Sequence, residues 1–113
     1  MKIEEFLKEN KNKIKRITIT TKYASFSIGE YKKSEIIKDI EFSGSEELKK
    51  GGLLTVWYNN TCMFLDLPEE ILDKELEKIE HADDFHKGYI EENYNVGIEE
   101  LKISFKIGTD KKI

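Results

Sequence analysis

Glutamine is absent from this chain, arginine occurs once at Arg16, and cysteine occurs once at Cys62. No apolar run approaches the roughly 20 residues of a membrane span, which excludes a spanning helix. A lone cysteine forms no internal disulfide, and the opening MKIEEFLKEN carries acids where a signal peptide needs an unbroken hydrophobic stretch. Both points predict a cytoplasmic protein. Phosphate loops are missing as well, since Gly44, Gly51-Gly52 and Gly97 lack the Walker and dinucleotide spacings. With one arginine, a nucleic-acid stripe would have to be built from lysine. The best candidate is KENKNKIKR, with Lys8, Lys11, Lys13, Lys15 and Arg16, and it reads as the wet face of a first helix, so no direct nucleic-acid binding is expected.

Aromatic and apolar residues are present in sufficient number. Six Phe, five Tyr and one Trp within 38% hydrophobic residues exclude a disordered chain, and 113 residues suit one domain, 1–113, with one modest core.

The periodicity sorts these residues into elements. Ile3, Phe6, Leu7 and Ile14 fall at helical spacing between lysines and glutamates, which predicts an amphipathic N-terminal helix. From Arg16 the period becomes two: Ile17 and Ile19, then Ala24, Phe26 and Ile28, with a parity slip near Tyr23 that marks a turn or bulge. Gly29-Glu30 reads as the next turn, and Ile36, Ile40 and Phe42 as one face of a third strand, completing an antiparallel meander. SGSEELKKGG reads as one short helical turn. In LLTVWYNNTCMFLDL two β-rich runs flank Asn59-Asn60, a primed-turn hairpin that sets Trp57 opposite Cys62 and Val56 opposite Met63. Its two apolar faces predict a central, covered position, with Trp57 buried and Cys62 a small core residue.

Asp66-Leu67-Pro68-Glu69 resembles a helix start, Leu72, Leu76 and Ile79 follow at helical spacing, and Gly88 ends the pattern. A longer helix over about 68–87 is therefore expected. Leu101, Ile103, Phe105 and Ile107 alternate with polar residues as a half-buried strand. The fold class predicted is α+β: a mainly antiparallel sheet of five or six strands, with the N-terminal helix and the 68–87 helix packed on it.

HADDFH concentrates both histidines. At five residues apart His81 and His86 diverge by about 140° on a helix, so the stretch reads as a solvated helix end rather than a zinc site, and neither a metal nor any other cofactor is expected. A Cys-His pair would need Cys62 beside a histidine, which nothing in the spacing provides.

Charge is the most informative feature. Residues 1–60 hold 12 basic and 9 acidic residues, residues 61–113 hold 7 and 14, and the segment 66–100 alone carries 13 acids against Lys74, Lys78 and Lys87. Like charges repel, so a compact protein that keeps such a block has a use for it in meeting a basic surface. Phe85, Tyr89 and Tyr94 are interleaved with these acids, as aromatic anchors are in interfaces. The expected partner-binding set is Glu77, Glu80, Asp83, Asp84, Tyr89, Glu91, Glu92 and Tyr94, and the competing reading is a solvated helix face. The function expected is non-enzymatic: binding, and inhibiting, a basic nucleic-acid-handling protein. By analogy of size and charge the class is a phage or mobile-element inhibitor such as an anti-CRISPR, or a nuclease-toxin immunity protein. A structural or oligomer-forming protein and a small hydrolase or metal-dependent enzyme are the alternatives.

Overall fold

The computed structural model describes residues 1–29, 37–44, 51–83 and 89–107, and of 81–83 and 89–91 the backbone alone. Strand β1 (Ile14–Thr21) turns back into β2 (Ser25–Gly29), with Ile17 opposite Ile28 and Thr18 opposite Ser27. Thr21 closes the turn, its N–H donating to the Ala24 carbonyl at 2.7 Å while its hydroxyl accepts the Ala24 N–H at 3.2 Å. The second sheet begins with β3 (Ile37–Gly44), β4 (Gly52–Tyr58) and β5 (Thr61–Leu67), and the chain then returns to the first through β6 (Glu77–Asp83), β7 (Tyr89–Gly97) and β8 (Leu101–Ile107). Among the described residues this gives a five-stranded antiparallel sheet in the order β2-β1-β8-β7-β6 and a three-stranded one in the order β3-β4-β5.

The α+β class agrees with the expectation. The single sheet does not: eight strands divide between two sheets, because β3 pairs with β4 and leaves β2 as an edge of the larger sheet. The hairpin register agrees residue for residue, with Trp57 opposite Cys62 and Val56 opposite Met63, and Asn59 takes the positive φ of 52° that the turn requires. The turn expected at 43–52 falls on residues 45–50, outside the described residues.

Helix α1 (Ile3–Asn10) buries Ile3, Phe6 and Leu7 and continues into a 3-10 turn at Lys11–Lys13. Glu4 and Glu5 in its first turn and Lys8 in its last complement the helix dipole. Ile14, read as helical, instead opens β1. The Phe6 ring lies 4.8 Å from Tyr94 and 5.2 Å from Phe105, tying the helix to the larger sheet. Ile40, Leu54 and Val56 of the smaller sheet join Ile17, Ile103 and Phe105 of the larger in one hydrophobic core.

The longer helix over 68–87 is absent. Only one turn, α2 (Glu69–Leu72), forms, and Asp73 ends it. Residues 77–83 pair with β7 as the edge strand β6. Edge strands are kept charged to discourage pairing with other chains. That requirement erased the alternation of a half-buried strand and left Glu, Lys and Leu, which are good helix formers. Pairing with β7 outweighs that propensity, and only Leu72 and Leu76 of the supposed helical stripe reach the core, while Ile79 is exposed. The backbone N–H of Leu76 donates to the Met1 carbonyl at 2.8 Å, which pins the entry to β6 against the start of α1.

Candidate functional site

The acidic segment is a surface. Asp66, Glu69, Glu70, Asp73, Glu75, Glu77 and Glu80 are all exposed, with Lys74 and Lys78 the only cations among residues 66–80. Lys78 is already engaged, with its ammonium 2.7 Å from Glu80 and 3.9 Å from Glu92. The Glu80 hydrogen bond raises the Lys78 pKa above its ordinary value, and the N-terminal ammonium, hydrogen-bonded to Glu75, lowers that carboxyl's pKa.

Register assigns the remaining acids. His81 stands opposite Glu91 and Asp83 opposite Tyr89, which brings β6 and β7 together as one acidic hairpin, and Asp84 lies outside the described residues. Glu77 shares a face with Asn95, while Lys78 and Glu80 share the other with Tyr94 and Glu92. Glu92 is buried, and Tyr94 is half-buried against Phe6. Tyr94 lies opposite Phe105 and Val96 opposite Ile103, so the parity that carries Val96 inward carries Tyr94 with it. That shared parity with Val96 was the signal in the sequence.

The outer face of the larger sheet is polar. Thr18 and Ser27 share a hydrogen bond of 2.8 Å, and Thr20 and Ser25 one of 3.0 Å. Beside them opens a cleft of about 600 Å³, lined by Thr18, Asn95, Lys102 and Ser104, with Lys74 and Glu77 also contributing. The Asn95 Oδ1 is buried there without a hydrogen-bond donor. The described lining is polar and charged, with Lys74, Glu77, Glu99 and Lys102 among the threonines and serine.

Trp57, expected in the core, lies half-buried on the outer face of the smaller sheet, where register places it in line with Asp39 and Cys62. The next row is Glu41, Thr55 and Phe64, and the third is Ser43, Leu53 and Asp66. Phe64 is 64% exposed. Cys62, also expected in the core, is likewise half-buried on this outer face: the spacing set it opposite Trp57 but did not show which side of the hairpin is covered, which depends on what packs over the sheet.

Cys62 belongs to the smaller sheet and His81 to the larger, so they are not neighbours in register. Among the described residues no three of His, Cys, Asp and Glu gather as a metal site, and no helix is long and apolar enough to cross a membrane. Calorimetric titration with zinc is expected to give no stoichiometric sub-micromolar binding. The helix end expected at HADDFH is not there, since His81, Ala82 and Asp83 belong to β6 and residues 84–86 lie outside the described residues. Zinc binding lost in His81→Ala would show that the stretch holds a metal all the same. Comparison with family models, curated proteins and solved structures finds no match to this chain.

Proposed function

We propose that this chain is a non-enzymatic protein that binds, and inhibits, a basic nucleic-acid-handling protein, in the manner of a phage or mobile-element inhibitor or a nuclease-toxin immunity protein. One observation carries the reading: the seven carboxylates of residues 66–80 all lie on the surface, and one of the two lysines among them is already held by Glu80 and Glu92. Self-repulsion of this kind costs stability, and steering a basic partner offsets that cost. Glu77 and Glu80 are exposed on the edge strand, and Asp83, Tyr89 and Glu91 continue the same hairpin. Asp84 extends it in sequence.

The test is capture at low salt from the native host, followed by association kinetics with the purified partner. Reversal of Glu77, Glu80, Asp83 and Glu91 to lysine should slow association about tenfold or more, with a matching loss of salt dependence. Reversal of Lys8, Lys11, Lys13 and Lys15 to glutamate should change little. The opposite pattern, or a captured partner that is itself acidic, would sink the reading.

A further inference from the structure

The outer face of the three-stranded sheet has an aromatic centre and an acidic margin. Its nine paired positions form three rows across β3, β4 and β5 and include Asp39, Glu41 and Asp66, while the exposed Lys38, the extra residue of a bulge opposite Trp57, is the one cation of these strands beside them. Trp57 and Phe64 sit on neighbouring strands, one half-buried and the other largely open, with Leu53 and Cys62 completing the apolar surface. An aromatic side chain as exposed as Phe64 leaves most of its apolar surface in water after folding, and burial of that surface is available to a partner.

The charges say which partner. Lys11 reaches Asp39 at 3.7 Å from the margin, an exposed pair of small worth. Among the described residues Glu41 and Asp66 have no cation within ion-pair reach. A second copy laid face to face would bring three carboxylates and one lysine, Lys38, against the same set, so like charges would outnumber the pairs it could form. A lysine- or arginine-bearing surface meets them favourably, and its cations also find the faces of Trp57 and Phe64.

We infer that the outer face of the three-stranded sheet, centred on Trp57 and Phe64 and bordered by Asp39, Glu41 and Asp66, is a docking site for a basic polypeptide segment that places an aliphatic side chain between its cations. This rests on the function proposed above and adds the place where the partner is anchored. The carboxylates of β6 steer the encounter, and this face holds the product. Asp66 belongs to both, closing the sheet face and opening the acidic segment in sequence.

Trp57 is the only tryptophan, so its fluorescence reads occupancy of the face directly. The probe is a short extended peptide alternating lysine and leucine, beside a lysine-serine and a glutamate-leucine analogue. The lysine-leucine peptide should change the Trp57 emission and bind more tightly than either analogue. Phe64→Ser should weaken it about tenfold or more, as for an interface anchor. Joint reversal of Asp39, Glu41 and Asp66 to lysine should abolish binding, and Glu77→Lys with Glu80→Lys should slow association while leaving the dissociation rate within about twofold. Indifference to Phe64→Ser, or equal binding of the glutamate-leucine peptide, would overturn the inference. So would self-association in sedimentation that Phe64→Ser abolishes, because the occupant would then be a second copy. Loss of binding only on reversal of Glu77 and Glu80 would remove this face while leaving the acidic hairpin as the binding surface. If no basic peptide binds and no basic partner is captured, both proposals fail.

Discussion

Phe105→Ala should lower the unfolding free energy by about 3 to 5 kcal/mol, the range for truncating a large buried aromatic when its surroundings relax only in part. Phe105 is fully buried, faces Ile17 on β1 and Tyr94 on β7, and lies 5.2 Å from the Phe6 ring. It therefore supports both neighbouring strands and the helix at once. No single neighbour can move into the space without leaving another contact, so the cavity stays open. Urea denaturation followed by far-ultraviolet circular dichroism measures the loss, and a value below about 1 kcal/mol would mean that this part of the core is loosely packed.

Gly29→Ala should cost about 2 to 3 kcal/mol, although it adds only one methyl group to the end of a strand. Gly29 has a φ of +98°, and a Cβ built there would stand 2.3 Å from the Lys15 carbonyl oxygen. Strain and collision act together, and the obstructing atom belongs to the backbone. The local backbone is fixed by the β1 ladder, whose register with β8 skips from Ile14 to Arg16 and leaves Lys15 as a bulge. Relief would require that bulge to shift against two paired strands. Thermal melting compared with Ser27→Ala, an exposed site on the same strand, separates this effect from a general loss of strand propensity. Equal melting temperatures would show that the bulge is free to move.

The parts of this fold legible in the sequence are those in which local chemistry and tertiary pairing agree. Asn59 could take a positive φ, the runs around it were β-rich, and the hairpin formed in the expected register. Leu101, Ile103, Phe105 and Ile107 alternate because β8 has one face on the core. Residues 77–83 were misread for the opposite reason: an edge strand beyond the core has no apolar face to display, and its solvated residues suit a helix equally well. The division into two sheets was not legible, because nothing local to Ile40 or Phe42 says that β3 pairs forward with β4 and not back with β2. At the candidate site the exposure of Glu77 and Glu80 followed from their charge, and the inward turn of Tyr94 from strand parity once β7 was known to be a strand. That the face carrying Trp57 and Phe64 stays open was beyond sequence, which gives which residues share a face but not what lies above it.

The pairing of β1 with β8 also orders events in time. The first strand of the larger sheet ends at Thr21, and its inner neighbour begins at Leu101, so residues 22–100 must all be made before the two can meet. Until then β1 has only β2 for company, and a two-stranded hairpin is marginal in water. Closing so long a loop before any contact repays it places folding among the slow, nonlocal β topologies, on the scale of milliseconds to seconds. A ribosome carrying this chain therefore holds an unfinished larger sheet until β8 emerges. A message truncated before the codon for Leu101 would yield a polypeptide whose first strand never acquires its inner partner.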